Sequence, residues 1–329
     1  LLYRFFFRVI FTKLDPEFAH ELVVTVLRAL SAMGLIRAGK PRDSSSIIGL
    51  QFENRLGMAA GFDKNGILIK PLHALGFGHV EIGTVTPLPQ PGNPKPRLFR
   101  LPKNRSLINR MGFNNEGAVA VAARISKLRE SNTRLPVIGV NIGKNKLTTQ
   151  EHAADDYGFA AMTLAPVADY IVVNVSSPNT AGLRDLQQVK ELQPILSAVL
   201  SEAGTVPVLL KIAPDLADAD IEAIAALVVE LKLAGIVATN TTIARDQLDS
   251  ESNTDQSGGL SGKVLAERST EVLKLIRKLL PSQMTVISVG GVFGKADYTA
   301  RISLGADLVQ GYTGFVYEGP FWAKRLTAQ

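Results

Sequence analysis

The chain has 329 residues, 46% of them hydrophobic, a formal net charge of +6 and no cysteine. That length supports either two ordinary domains or one large α/β barrel, and the absence of any cysteine thiol excludes disulfides, iron–sulfur ligation, zinc–thiolate sites and a thiol nucleophile. Residues 1–42 hold seven basic side chains (Arg4, Arg8, Lys13, Arg28, Arg37, Lys40, Arg42) against Asp15, Glu17 and Glu21, a net +4 that leaves +2 for the rest, so the excess charge points to a membrane surface and away from a nucleic-acid partner.

Residues 1–14 set Leu1, Leu2, Phe5, Phe6, Val9 and Ile10 at helical spacing, with Arg4 and Arg8 on one edge. No small-residue cleavage site follows, which argues against a removable signal peptide. Leu-Asp-Pro-Glu then predicts a helix start with Asp15 as N-cap, Pro16 at the first helical position and Glu17 in the first turn. Phe18, Leu22, Val26 and Leu30 form a stripe along this second helix, with Val23 and Leu27 beside it, up to a stop near Gly34. The two short helices either pack on the body or form a monotopic hairpin lying in a bilayer interface. No apolar run reaches the roughly 20 residues that cross a bilayer.

From residue 47 the pattern becomes short β-branched runs separated by helical stretches near 115–130, 187–203, 217–232 and 264–280. Eight strands are predicted, ending in GMAAGFDKN, VEIGTVT, IGVNIGKN, VVNVSSPN, LLKIAPD, IVATNTT, ISVGGV and LVQGYTG. Near-continuous apolar strands alternating with helices mean a parallel sheet under helices, and eight units close into a (β/α)₈ TIM barrel. A doubly wound open sheet is the weaker alternative, since no strand–GxGxxG–helix fingerprint occurs.

At each carboxyl end the strands change to Gly, Asn, Ser, Thr, Lys or Asp, and in this fold those ends face the active site. Asn141, Asn174, Asn179 and Asn240, with Thr241, offer paired donors and acceptors that suit a flat ring with alternating C=O and N–H groups, such as a pyrimidine or a flavin. Lys64 and Lys211 either snorkel to solvent or hold an anion, and Lys211 could also form a Schiff base. Gly290, Gly291, Tyr312 and Thr313 fall where such barrels bind phosphate, with SGGLSG before them. His20, His73, His79 and His152 are too scattered for a metal site, and each is expected at the surface or satisfied in the core. None of them sits at a strand end to act as base for Ser176 or Ser177, and no GxSxG elbow exists. The serine is therefore expected to remove a proton and not to attack carbon.

The motifs AAGFDKNG, EIGTVTPLPQPGNPKPRLFRLP, LINRMGFNN, GVNIGKNK, NVSSPNTAGLRDLQ, KIAPDL, ATNTT, GGLSG, SVGGV and QGYTGF, which span essentially the whole chain, resemble the class 2, membrane-associated dihydroorotate dehydrogenases. The resemblance implies FMN in a TIM barrel (43–329), oxidation of dihydroorotate to orotate, and electron transfer to a membrane quinone through an N-terminal two-helix hairpin (1–42). It makes Ser177 the base that takes a proton from C5 while hydride leaves C6. Lys64, Asn109, Arg110, Met111, Gly112, Phe113, Asn174, Asn179, Asn240 and Thr241 would bind substrate. Ala60, Gly61, Phe62, Asp63, Lys64, Thr84, Asn141, Asn174, Lys211, Thr239, Gly262, Gly291, Tyr312 and Thr313 would hold FMN. Lys211 would then stabilise charge on the reduced ring, and NTAGLRDLQ, with its glycine hinge, could act as a lid. Peripheral attachment at the cytoplasmic side of the membrane, and a monomeric state, are the matching expectations. Two rivals are an aldolase-type lyase using Lys211 as imine and a non-enzymatic membrane module.

Overall fold

The computed structural model describes residues 2–41, 43–131, 133–180 and 182–328. Leu1, Arg42 and Ala181, which belong to the expected hairpin, domain boundary and lid, lie outside the described residues, as do the side chains of Leu2 and Arg8.

Eight parallel strands close into a barrel: β1 (Leu56–Met58), β2 (His79–Val85), β3 (Val137–Ile142), β4 (Tyr170–Asn174), β5 (Val208–Ile212), β6 (Gly235–Ala238), β7 (Thr285–Val289) and β8 (Leu308–Gly311). Every residue in them is buried, because one face packs the barrel interior and the other packs under helices. The ring closes where Val309 pairs with Leu56. The four expected helical stretches are found as Ala118–Glu130, Val189–Ala203, Asp218–Glu230 and Ala266–Leu279, each within a few residues of the predicted ends.

Two β elements were not among the eight expected strands. A hairpin of Ser45–Ile47 and Leu50–Phe52 precedes β1, and its wholly buried Phe52 packs in one cluster with Val137, Tyr170 and Leu209. Phe52 meets His79 edge to face at 5.5 Å. His79 departs from expectation: it is buried with neither ring nitrogen partnered, and desolvation pushes its pKa down to about 3, so it packs as a neutral ring. The second element is an antiparallel sheet of Leu98–Leu101, Ser106–Asn109 and Gly259–Gly262, which sets Gly259 opposite Asn109 and Gly262 opposite Ser106.

The first helix, α1 (Leu2–Val9), and the second, α2 (Pro16–Ala32), form the amino-terminal hairpin. The Asp15 carboxylate caps α2 by accepting the N–H groups of Glu17 and Phe18, as predicted. Tyr3 donates to the carbonyl of Val316 at 2.7 Å, and Phe7 meets Tyr317 at 4.9 Å, which seats α1 on the eighth barrel unit. A buried Arg97–Glu17 pair at 2.8 Å ties α2 to the segment before Leu98. Phe5, Phe6, Val9, Ile10, Phe18, Leu22 and Val26 remain exposed on the hairpin. No helix among the described residues is long and apolar enough to cross a membrane.

Candidate active site

Parallel strands in a closed barrel deliver their carboxyl ends to one mouth, and there the polar tips meet. Asn174, the last residue of β4, is the hub. Its Nδ2 donates to Thr84 Oγ1 (2.8 Å) and Asn141 Oδ1 (3.1 Å), while its Oδ1 accepts from Asn240 Nδ2 (3.1 Å) and Ser176 Oγ (3.1 Å). Tyr157 donates to the Asn174 carbonyl at 2.7 Å and fixes its backbone. The carboxamides that the sequence scatters over three strands thus form one connected set.

Two chambers share this mouth. The first is lined by Lys64, Thr84, Met111, Gly112, Phe113, Asn174, Ser177 and Asn179. The second is lined by Thr239, Gly262, Gly290, Gly291, Gln310, Tyr312 and Thr313. Ala60, Gly61, Asn109, Lys211, Asn240 and Thr241 line both. Ser177 is buried at 6% exposure, and its Oγ accepts the N–H of Asn179 at 3.3 Å. Asn179 Oδ1 is buried without a partner and so offers an unmet acceptor to an N–H donor.

Lys211 is buried, which removes the snorkelling alternative, and its Nζ lies 3.4 Å from Glu81 Oε1 inside the barrel. Glu81 also accepts from Asn141 (2.8 Å) and Gln310 (2.7 Å). Lys64 Nζ contacts Asn114 Oδ1 and lies 3.2 Å from Met111 Sδ. Burial pushes the Lys64 pKa down to about 7, with repulsion from Arg97 adding to the effect and Glu17 opposing it. A half-buried amine without a carboxylate partner is suited to an incoming anion.

The second chamber has polar groups for a ring at one end and exposed backbone for a phosphate at the other. A Cβ on Gly61 would meet only Tyr312 Cε2, at 3.7 Å, so the backbone there opens to the chamber. At the far end a Cβ on Gly291 would come within 2.3 Å of Ala266 Cα, which reserves that position for glycine, and Ser261 and Thr313 pair their hydroxyls at 2.8 Å. The Gln310 Oε1 is buried without a partner on this chamber's wall. These groups fit FMN: the Asn and Lys cluster would meet its ring and the tips of β7 and β8 its phosphate.

Three expected site residues turn their side chains elsewhere. Arg110 stacks over Phe99 at 4.6 Å and bonds to Gln256 and the carbonyl of Pro96. The Asp63 carboxylate accepts the N–H groups of Ile67 and Leu68 and so shapes the turn after β1. Phe62 packs edge to face on His20 and Tyr312, within a third cavity of about 850 Å³ beneath the hairpin. Asn141 lies wholly buried behind Thr84 and Asn174 and lines neither chamber. Conversely, Glu81, Gln310, Asn114 and Ser261 were not foreseen. A carboxylate in the middle of an apolar strand was the available signal for Glu81.

The third cavity is lined chiefly by Phe6, Phe7, Leu22, Val23, Val26, Leu27 and Leu30 from the hairpin, with His20 and Arg100 among its few polar groups. Burial, reinforced by Lys64, lowers the His20 pKa to about 4, so its ring is neutral at neutral pH. Leu98, Leu107 and Tyr312 line both this cavity and the second chamber.

Residues 43–329 match the family model described as dihydroorotate dehydrogenase. A Leifsonia xyli protein named dihydroorotate dehydrogenase (quinone) is 53% identical over 99% of this chain and 97% of its own length. Another of that name, from Clavibacter michiganensis, is 50% identical over the same shares. The crystal structure of DHODH from Eimeria tenella in complex with ferulenol superposes with a TM-score of 0.89 at 39% identity, over 95% of this chain and 90% of that one. With the barrel, its polar mouth and these likenesses in agreement, the chain belongs to the dihydroorotate dehydrogenase family.

Proposed function

We propose that this chain oxidises (S)-dihydroorotate to orotate in pyrimidine biosynthesis, with FMN as hydride acceptor and a membrane quinone as terminal electron acceptor. The observation that carries the reading is the sequence of spaces: a polar chamber lined by Ser177 and the carboxamides of Asn174, Asn179 and Asn240 shares a wall with the second chamber, and Leu98, Leu107 and Tyr312 lie between that chamber and the apolar cavity of the hairpin. FMN, when bound, supplies an acceptor for the hydride from C6 of the substrate.

The chain's own residues do the remaining work. Asn174, Asn179 and Asn240 orient the pyrimidine ring through its alternating donors and acceptors, and Lys64 holds its carboxylate. Ser177 Oγ takes the C5 proton while its own hydroxyl proton is relayed to solvent. A neutral hydroxyl is a poor base, so the reaction gains from high pH, which draws that second proton away. Lys211 places positive charge at the shared edge of the chambers, where negative charge accumulates on reduction. The apolar hairpin face with its basic rim lies on the membrane and admits the quinone to its cavity; attachment is peripheral, on the cytoplasmic side.

Anaerobic mixing of the yellow holoprotein with dihydroorotate tests the reading. Bleaching followed by recolouring on addition of a short-chain quinone is expected. A colourless protein trapped with its substrate by borohydride would instead mean imine chemistry at Lys211.

A further inference from the structure

We infer that Arg184 is a positioning residue that fixes the tip of β4, bearing Ser177, against the tip of β6, bearing Asn240 and Thr241; this deepens the proposed function and rests on it. Arg184 lies in the 3₁₀ turn Leu183–Gln187, just past the hinge at Gly182, whose φ is +68°. The segment expected to be a lid is not free along this turn. Leu183 and Leu186 are buried in the core, and Gln187 Oε1 accepts the N–H of Ala213 at 2.9 Å. From residue 183 onward the segment is therefore a strap tied across the barrel mouth.

The guanidinium uses all three nitrogens on that strap. Nε donates to the carbonyl of Ser176 at 3.1 Å, one terminal nitrogen donates to the carbonyl of Thr241 at 2.8 Å, and the other to Asp215 Oδ2 at 2.7 Å. Asp215, just after β5, also accepts from the Thr242 hydroxyl, so three strand tips converge on one planar cation. The Ser176 carbonyl shares a peptide plane with the N–H of Ser177, so moving that carbonyl turns the base itself. Arg184 lines neither chamber. A lysine supplies no rigid fork to hold two carbonyls and a carboxylate together, whereas arginine does.

The test compares Arg184→Ala, Arg184→Lys and Asp215→Asn holoproteins with Arg277→Ala. Arg277 makes similar carbonyl contacts, to Met284 (3.0 Å) and Leu280 (3.1 Å), before β7 and away from Ser176, Asp215 and Thr241. Stopped-flow flavin reduction by dihydroorotate gives the limiting rate, flavin spectral shifts give orotate affinity, and hydrogen exchange is followed over residues 176–179. Arg184→Ala is expected to lose about a hundredfold in limiting rate while orotate affinity changes by less than about threefold. Arg184→Lys recovers part of the loss, Asp215→Asn lies between, and exchange at 176–179 accelerates only in these variants. A limiting rate like that of Arg277→Ala, or a loss confined to affinity, overturns the inference; if Arg184→Ala does not fold, Arg184→Lys and Asp215→Asn are judged by the same criteria. If dihydroorotate fails to bleach the unaltered protein, the proposed function falls. The exchange comparison then decides the brace alone, faster exchange supporting it and unchanged exchange overturning it.

Discussion

Lys211 Nζ stands 3.4 Å from Glu81 Oε1 in the middle of the barrel, the carboxylate wholly buried and the amine at the edge shared by both chambers. Removing one member of such a pair leaves the other charge desolvated, which typically costs about 3–5 kcal/mol. Lys211→Met is therefore expected to lower unfolding free energy by about 3 kcal/mol, because Asn141 and Gln310 still solvate Glu81. Denaturant unfolding of the apoprotein measures this apart from any loss of flavin.

Ser177→Ala removes the proposed proton acceptor while leaving the Asn174 hub and the second chamber intact. Flavin reduction by dihydroorotate is expected to slow by about 10²–10⁴-fold, with FMN content unchanged. Single-turnover reduction at the normal rate would exclude Ser177 as base.

Lys64 provides a pH signature. With its pKa pushed down to about 7, the amine is charged below that pH and neutral above it in the ligand-free site. A bound carboxylate raises that pKa by favouring the charged form. Orotate affinity should therefore be flat below about pH 7 and fall by up to about tenfold per unit above it, until the raised pKa of the complex is passed. Titrations from pH 6 to 9 check this, and Lys64→Met should give a weak, flat profile.

Removing the hairpin is expected to separate the two half-reactions. Deleting residues 1–40 is expected to abolish vesicle binding and quinone-dependent turnover while dihydroorotate still bleaches the flavin. Quinone turnover and vesicle binding that survive the deletion would remove the hairpin from electron transfer.

The barrel was legible because its strands are apolar runs that turn polar at one end, and the same feature singled out Asn174 and Asn240 while leaving Ser176 and Ser177 as alternatives, between which the family resemblance chose. The Leu98–Leu101, Ser106–Asn109 and Gly259–Gly262 sheet was not, since its partners lie far apart in the chain and their runs are too short to carry periodicity. Arg110 illustrates a different failure. Its neighbour Asn109 lines the chambers, but adjacent side chains on extended backbone leave on opposite faces, so Arg110 stacks on Phe99 instead. Arg184 was hidden because its role is spoken through the carbonyls of Ser176 and Thr241, which sequence does not display. His79 defied its expectation because burial against Phe52 and Tyr170 left no polar group within reach of its ring.

The partition formed by Leu98, Leu107 and Tyr312 has a consequence for catalytic economy. Under the proposed function, a water-soluble reductant and a lipid-soluble oxidant would each have its own address in the molecule, so that neither need depart for the other to arrive. What crosses the partition is then a pair of electrons, with each half-reaction exchanging its protons on its own side.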